Sequence, residues 1–473
     1  MKNEDFNMDG SQSDDFLSEL LSRFEQMMNN SQPSFFDADE LIELIDHYIT
    51  LGQMKLARQA LEIAISQYPN NQDVVVFQAR YFHVSGRPVK AVELLKQVLN
   101  NDKDNVDALM FLGDVYYETG KQTEAILLYE QALSLVEKEE KPMVIQQIIR
   151  SMDEMGQHHK MIPYLKQLIT LIPTNSDAMS ELAYCYTILN REEEGIAYYM
   201  KLVDSDSFNH GAWFSLGLLY FNISLYEKAI EAFEFVLAIE PRFTSAALKI
   251  GASLSMLERI DSAIEVYKGI LEYEKHDASI YSYLAYCYSQ KNNFKKASSA
   301  FLKAINLNPE HTEAHLGLAY AYAGLNMFDG AYRQILKIMD EYDDVAELWF
   351  YKAYLEEQLD RYEDAVQSYR QGLRRDTTDV NAWLSLSGML TEYFSDYEEA
   401  LSVLDEAKEA VPDSAEVLYR GAAVSFEAGR ENEGIVWLHS ALNQDKSRVE
   451  LLFLYNPLLH NNPTIIEIIN SYL

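Results

Sequence analysis

One stretch of this 473-residue sequence has the spacing of a metal site: HTEAH places His311, Glu313 and His315 on one helical turn, with the histidines four residues apart. His315, however, occupies the slot that a comparable stretch gives to Trp213, so packing is its simpler role. His158 and His159 fall in an irregular turn, where exposure is expected and no catalytic partner is found. Cys185 and Cys287 each sit in an LAYCY string. In a stack of units, positions that far apart cannot come within the roughly 7 Å a disulfide needs, so both are expected as buried thiols in a reducing compartment. No phosphate-binding glycine loop, HExxH, CxxC or nucleophile elbow occurs. The expectation is therefore no catalytic residue, no metal and no cofactor.

The elements that would carry these residues are visible as a repeat. Ala57, Ala91, Ala125, Met161, Gly195, Ala229, Ala263, Ala297, Ala331, Ala365, Ala400 and Gly434 recur at a step of about 34 residues, stretched slightly before Met161 and Ala400. A second small-residue series runs twelve positions earlier at Ala79, Gly113, Ala183, Gly217, Gly251, Ala285, Ala319 and Ala353. Small residues at both sites let two helices approach closely, while Leu61, Leu95, Tyr129, Phe233, Tyr267 and Phe301 fill the space beside them.

His210 to Phe243 is the clearest unit: Trp213, Leu216, Gly217 and Tyr220 share one helical face, Tyr226, Ala229, Phe233 and Val236 another, and Pro241 closes it. This pattern resembles a tetratricopeptide repeat, a pair of antiparallel helices, and the chain resembles multi-repeat scaffolds of the bacterial type. The resemblance covers about Ala38 to Arg448, twelve repeats, and implies an all-α, right-handed superhelical solenoid with helical caps. It also implies that first helices line a concave groove that binds peptide segments.

On that mapping the ninth residue of each repeat faces the groove, including Arg80, Arg150, Tyr184, Tyr286, Tyr320 and Tyr354. The sixth residue adds Phe77, Phe111, Tyr283 and Tyr351. Tyr283, Tyr286, Tyr320, Tyr351 and Tyr354 are expected to form an aromatic strip across repeats eight to ten, a surface suited to an extended or helical peptide, unless the rings only pack between neighbouring helices. Arg80 and Arg150 are candidate anion contacts. Some family members clamp an acidic peptide terminus with lysine and asparagine, but here the fifth and ninth residues of the first repeat are Ile42 and Asp46.

Thirty-nine basic against 74 acidic residues leave a formal charge of −35. Such a surface repels nucleic acid and anionic lipid, and favours basic or neutral protein partners. First-turn acids such as Asp73, Asp107, Asp177 and Glu347 also match helix dipoles, so solubility and helix stability explain part of the acidity. No apolar run of about 18 residues is present, so no membrane span is expected. The start MKNEDFNMDGSQSDD lacks the charged start and apolar core of a signal peptide, which makes the cytoplasm the expected location.

Residues 1–37 read as an acidic segment with an amphipathic helix through Phe16, Leu20 and Phe24, expected to cap the first repeat, bind a partner or lie in the groove. Residues 449–473 read as capping helices, or as a surface joining a second copy. The fourth repeat, 142–175, is the least regular, since Ile149 and Met161 replace small residues and Pro163 interrupts its second helix. A seam is expected near 137–163. The resulting expectation is a non-catalytic scaffold binding a partner peptide or helix of another protein in the groove; the alternative is an assembly module that self-associates or joins a complex through its terminal helices.

Overall fold

The computed structural model describes residues 8–30 and 35–472. Residues 1–7 and 31–34 of the amino-terminal segment, and Leu473, lie outside the described residues. The chain divides into two compact units, Met1–Phe243 and Thr244–Leu473. Each contains six helical hairpins among the described residues. Those of the first unit run from Ala38–Thr50 and Met54–Gln67 to His210–Asn222 and Tyr226–Ile239; those of the second run from Thr244–Met256 and Ile260–Leu271 to Ala415–Glu427 and Glu431–Asp445.

Local chemistry accounts for the ends of these helices. Most first helices start behind short polar caps: the Asn71 side chain accepts from Val74 N–H and the Asn105 side chain from Ala108 N–H, and Asn175, Asn209 and Asp379 act likewise. Inside each hairpin one residue takes a left-handed conformation. Five of these twelve are glycine (Gly52, Gly86, Gly120, Gly156, Gly429) and seven are not (Asn190, Ser224, Glu258, Asn292, Asn326, Asp360, Ser395). The next residue closes the turn on the helix behind it, as Gln53 N–H does on Tyr48 O at 2.8 Å and Arg191 N–H on Tyr186 O at 2.8 Å. The extra residue of repeat eleven is absorbed there: Asp396 N–H reaches back one residue further, to Leu390 O at 2.9 Å.

The expected helix crossings are present. A Cβ added at Gly113, Gly217 or Gly251 would lie 2.5 Å from the ring of Tyr129, Phe233 or Tyr267 respectively. Apolar cores then run between successive hairpins. In repeat four, helix His158–Leu171 continues through Pro163. Ile149 and Met161 are buried in one cluster with Tyr129, Leu165 and Tyr186. Residues 137–163 thus lie inside the first unit, and the boundary between units falls at Phe243 and Thr244.

Helix Met8–Asn30 packs Leu20 and Phe24 against Leu41, Leu44 and Tyr48 of the first repeat, and Arg23 Nη1 meets Glu40 Oε1 at 2.7 Å. At the other end, Leu452, Leu459, Ile465 and Ile469 join the cluster containing Trp437 and Leu438. No helix among the described residues is long and apolar enough to cross a membrane.

Candidate functional site

In the first unit, Phe77 and Phe111 meet edge to face at 5.9 Å, and the Arg80 guanidinium lies over both rings, 5.8 and 5.3 Å from their centroids. Arg80 Nη1 is also paired with Asp46 on the preceding repeat. Arg150 stacks over Tyr117 at 4.4 Å, and the Tyr117 hydroxyl donates to Glu154. Arg80, Phe111, Tyr117 and Arg150 border a cavity of about 270 Å³ that is also lined by His83, Asp114 and Glu118, with His83 Nε2 2.8 Å from Glu118 Oε2. Burial raises the Asp114 carboxyl pKa, while the Tyr129 hydroxyl, donating at 2.7 Å, and Arg80 pull it down. Protein carboxylates already surround Arg80 and leave it poorly placed as an open anion contact. Register revealed the helical face of Arg80 but not its partner one repeat away.

Tyr184 is 53% exposed and stands edge-on to His158 at 5.8 Å. His158, expected in an exposed turn, is instead the first residue of its helix and is half-buried, because the Tyr184 ring covers it. His315 is buried; its Nδ1 faces Gln334 Oε1 at 2.7 Å and its Nε2 faces Pro309 O at 2.8 Å, so both ring nitrogens are engaged in packing the repeat. No group of three metal-ligating side chains is placed to hold an ion among the described residues. Cys185 and Cys287 are buried free thiols; burial pushes Cys185 up to about 12 and also raises Cys287.

The aromatic strip lies in the second unit, where Tyr286, Tyr320 and Tyr354 occupy matching positions on Ala278–Gln290, Thr312–Ala323 and Ala346–Gln358. All three are exposed on the surface. Tyr320 and Tyr351 are 4.5 Å apart between ring centroids, and Tyr351 stacks on Tyr354 at 6.0 Å with planes 18° apart. The Tyr351 hydroxyl is buried without a hydrogen-bond partner. Burial, followed by the neighbouring Tyr320 and Tyr354, raises its pKa, so it stays a protonated donor. Tyr286 donates to Glu313 O at 3.0 Å and sets its ring edge-on to Phe301. Tyr283 stacks on Tyr267 of the preceding hairpin at 5.8 Å, which engages it in packing between repeats. Three of the five expected rings therefore form one surface cluster.

A cavity of about 290 Å³ in the same unit, lined by Glu357, Gly388, Glu392, Arg420 and Tyr455, has no counterpart in the sequence reading. Tyr455 comes from helix Glu450–Tyr455, beyond the last repeat, so no repeat register could place it. A lone arginine at the sixth residue of repeat twelve was the available signal.

This is an all-α array of helical hairpins, and tetratricopeptide-repeat models match it at residues 78–140, 176–209, 210–243, 278–311 and 346–379. The chain is a tetratricopeptide-repeat protein. Among similar solved structures, the APC/C hetero-tetramer Cut9-Hcn1 is 14% identical, with 80% of this chain and 95% of that chain covered and a TM-score of 0.40. Yeast Tom70 is 13% identical, with 92% and 99% covered and a TM-score of 0.38. YrrB, described as a TPR protein with an unusual peptide-binding site, is 19% identical, with 40% and 98% covered and a TM-score of 0.34. The comparison with curated proteins returns no match.

Proposed function

We propose that the chain is a non-catalytic scaffold and that its second unit binds an extended segment of a partner protein across Tyr320, Tyr351 and Tyr354. The observation that carries this reading is the cluster itself: three touching rings, two of them exposed, around a buried hydroxyl that lacks an acceptor. Tyrosine supplies large contact area for little lost rotamer entropy, and a ligand carbonyl reaching the Tyr351 hydroxyl would satisfy it. The charge of −35 favours basic or neutral partners through faster encounter, and argues against nucleic acid.

The test compares the intact chain with a Tyr320→Ala, Tyr354→Ala variant in affinity capture, with thermal melting as the control for folding. A partner retained by the first and lost by the second supports the cluster. Equal capture by both removes it.

A second reading, assembly through the ends, is favoured by Leu454 and Leu458, which are 72% and 85% exposed. Light scattering across concentration would show a mass that rises in the intact chain and stays monomeric in Leu454→Glu, Leu458→Glu. A constant monomer mass in both would exclude self-association through these residues.

A further inference from the structure

The cavity beside Gly388 combines charges that do not satisfy one another. Arg420 is only 6% exposed; its Nη2 donates to Thr391 Oγ1 at 2.9 Å, but its Nε is buried without an acceptor. The Tyr455 ring covers the guanidinium at 5.2 Å. Gly388 lies between the guanidinium and a carboxylate: a Cβ there would be 3.6 Å from Arg420 Nη2 and 4.0 Å from Glu392 Oε1. Even so, Arg420 and Glu392 form no ion pair, and bare backbone separates them.

Glu357 borders the same cavity, and Glu427 lies within electrostatic reach of Arg420 and Glu392. Burial, then the Glu392 charge, raises the Glu357 pKa. For Glu427, burial and Glu392 raise it while Arg420 opposes them. Glu357 and Glu392 share the cavity with one guanidinium, and Glu427 lies within its electrostatic reach, leaving an excess of negative charge that a cation would relieve. Arg420 separately needs an uncharged acceptor. An anion would meet the carboxylates, and an apolar residue would satisfy neither need.

We propose that this cavity takes a lysine or arginine residue of the partner segment, with its side-chain cation between Glu357 and Glu392 and its main-chain carbonyl accepting from Arg420 Nε. The proposal rests on the reading that the second unit binds an extended segment. Glu357 follows Tyr354 by one helical turn on Ala346–Gln358, so a segment lying across the tyrosines continues over the cavity.

The experiment uses the full chain and fluorescent pools of short peptides, randomised except for a central lysine, arginine, norleucine or glutamate. The lysine and arginine pools are expected to bind roughly tenfold tighter than norleucine, with glutamate weakest. Glu357→Gln, Glu392→Gln should bring lysine down to the norleucine level and leave norleucine unchanged. These near-isosteric replacements remove mutual repulsion, and a melting curve confirms the fold. Equal binding of lysine and norleucine, or a lysine preference that survives the double substitution, overturns the cavity assignment even if Tyr320→Ala, Tyr354→Ala weakens every pool. A lysine preference abolished by the glutamine pair but untouched by the tyrosine pair supports the cavity and overturns the aromatic cluster. Failure of every pool to bind overturns both.

Discussion

Gly217 and Phe233 touch where the two helices of the sixth repeat cross, with a Cβ at 217 falling 2.5 Å from the ring. The ring occupies the volume a side chain at 217 would need, and Gly421 stands in the same relation to Trp437. Gly217→Leu should cost about 3 kcal/mol through overpacking, with part of the loss recovered when Phe233→Ala is added. Urea denaturation followed by circular dichroism measures both, and an unchanged midpoint for the single variant would contradict the crossing.

Glu356 is 1% exposed and takes three donors: Lys352 Nζ at 2.7 Å, the Ser368 hydroxyl at 2.6 Å and the Tyr332 hydroxyl at 3.1 Å. Glu356→Leu strands Lys352 and should cost roughly 3–5 kcal/mol, whereas adding Lys352→Met should restore most of that, because an apolar pair carries no desolvation penalty. Equal stability of the single and double variants would show that the pair is not coupled.

Stability should rise on mild acidification. Burial leads the causes that raise the carboxyl pKa values of Asp107, Asp114, Glu181, Glu357 and Glu427. A folded-state carboxyl pKa above its unfolded value of about 4 makes the folded chain the tighter proton binder, so that contribution is present at low pH and is lost as pH climbs through the folded values. Glu194, lowered by Arg191, and Asp376, lowered by Thr378, act the other way but are at the surface and screened by solvent. The urea midpoint should rise as the pH is lowered from neutrality toward about 4, the unfolded carboxyl value; a fall over that range would reverse the sign.

At the hairpin turns, Gly156→Ala should lose roughly 1 kcal/mol, because φ there is +62° and a Cβ is strained in that region even with open space around it. Glu258→Gly, at φ +57°, should gain a few tenths. Melting of the two variants in opposite directions is the expected result.

The hairpins were legible because small residues recur where helices must approach closely, as Gly217 does against Phe233. The Tyr320, Tyr351 and Tyr354 cluster followed from the same register, since equal positions on successive first helices share a face. Register alone could not show that Arg80 is already paired with Asp46, because that contact depends on side-chain reach between repeats. Nor could it assemble the cavity at Gly388, where an extra turn residue shifts the repeat step and Tyr455 arrives from outside the array.

The turn closures bear on how the chain acquires its structure. Each bond such as Gln53 N–H to Tyr48 O, and even the longer one at Asp396, joins residues only a few positions apart. A hairpin can therefore form from its own sequence before distant chain arrives, with little loop-closure entropy to overcome. Folding has many equivalent starting points, and growth from any of them proceeds by adding neighbours.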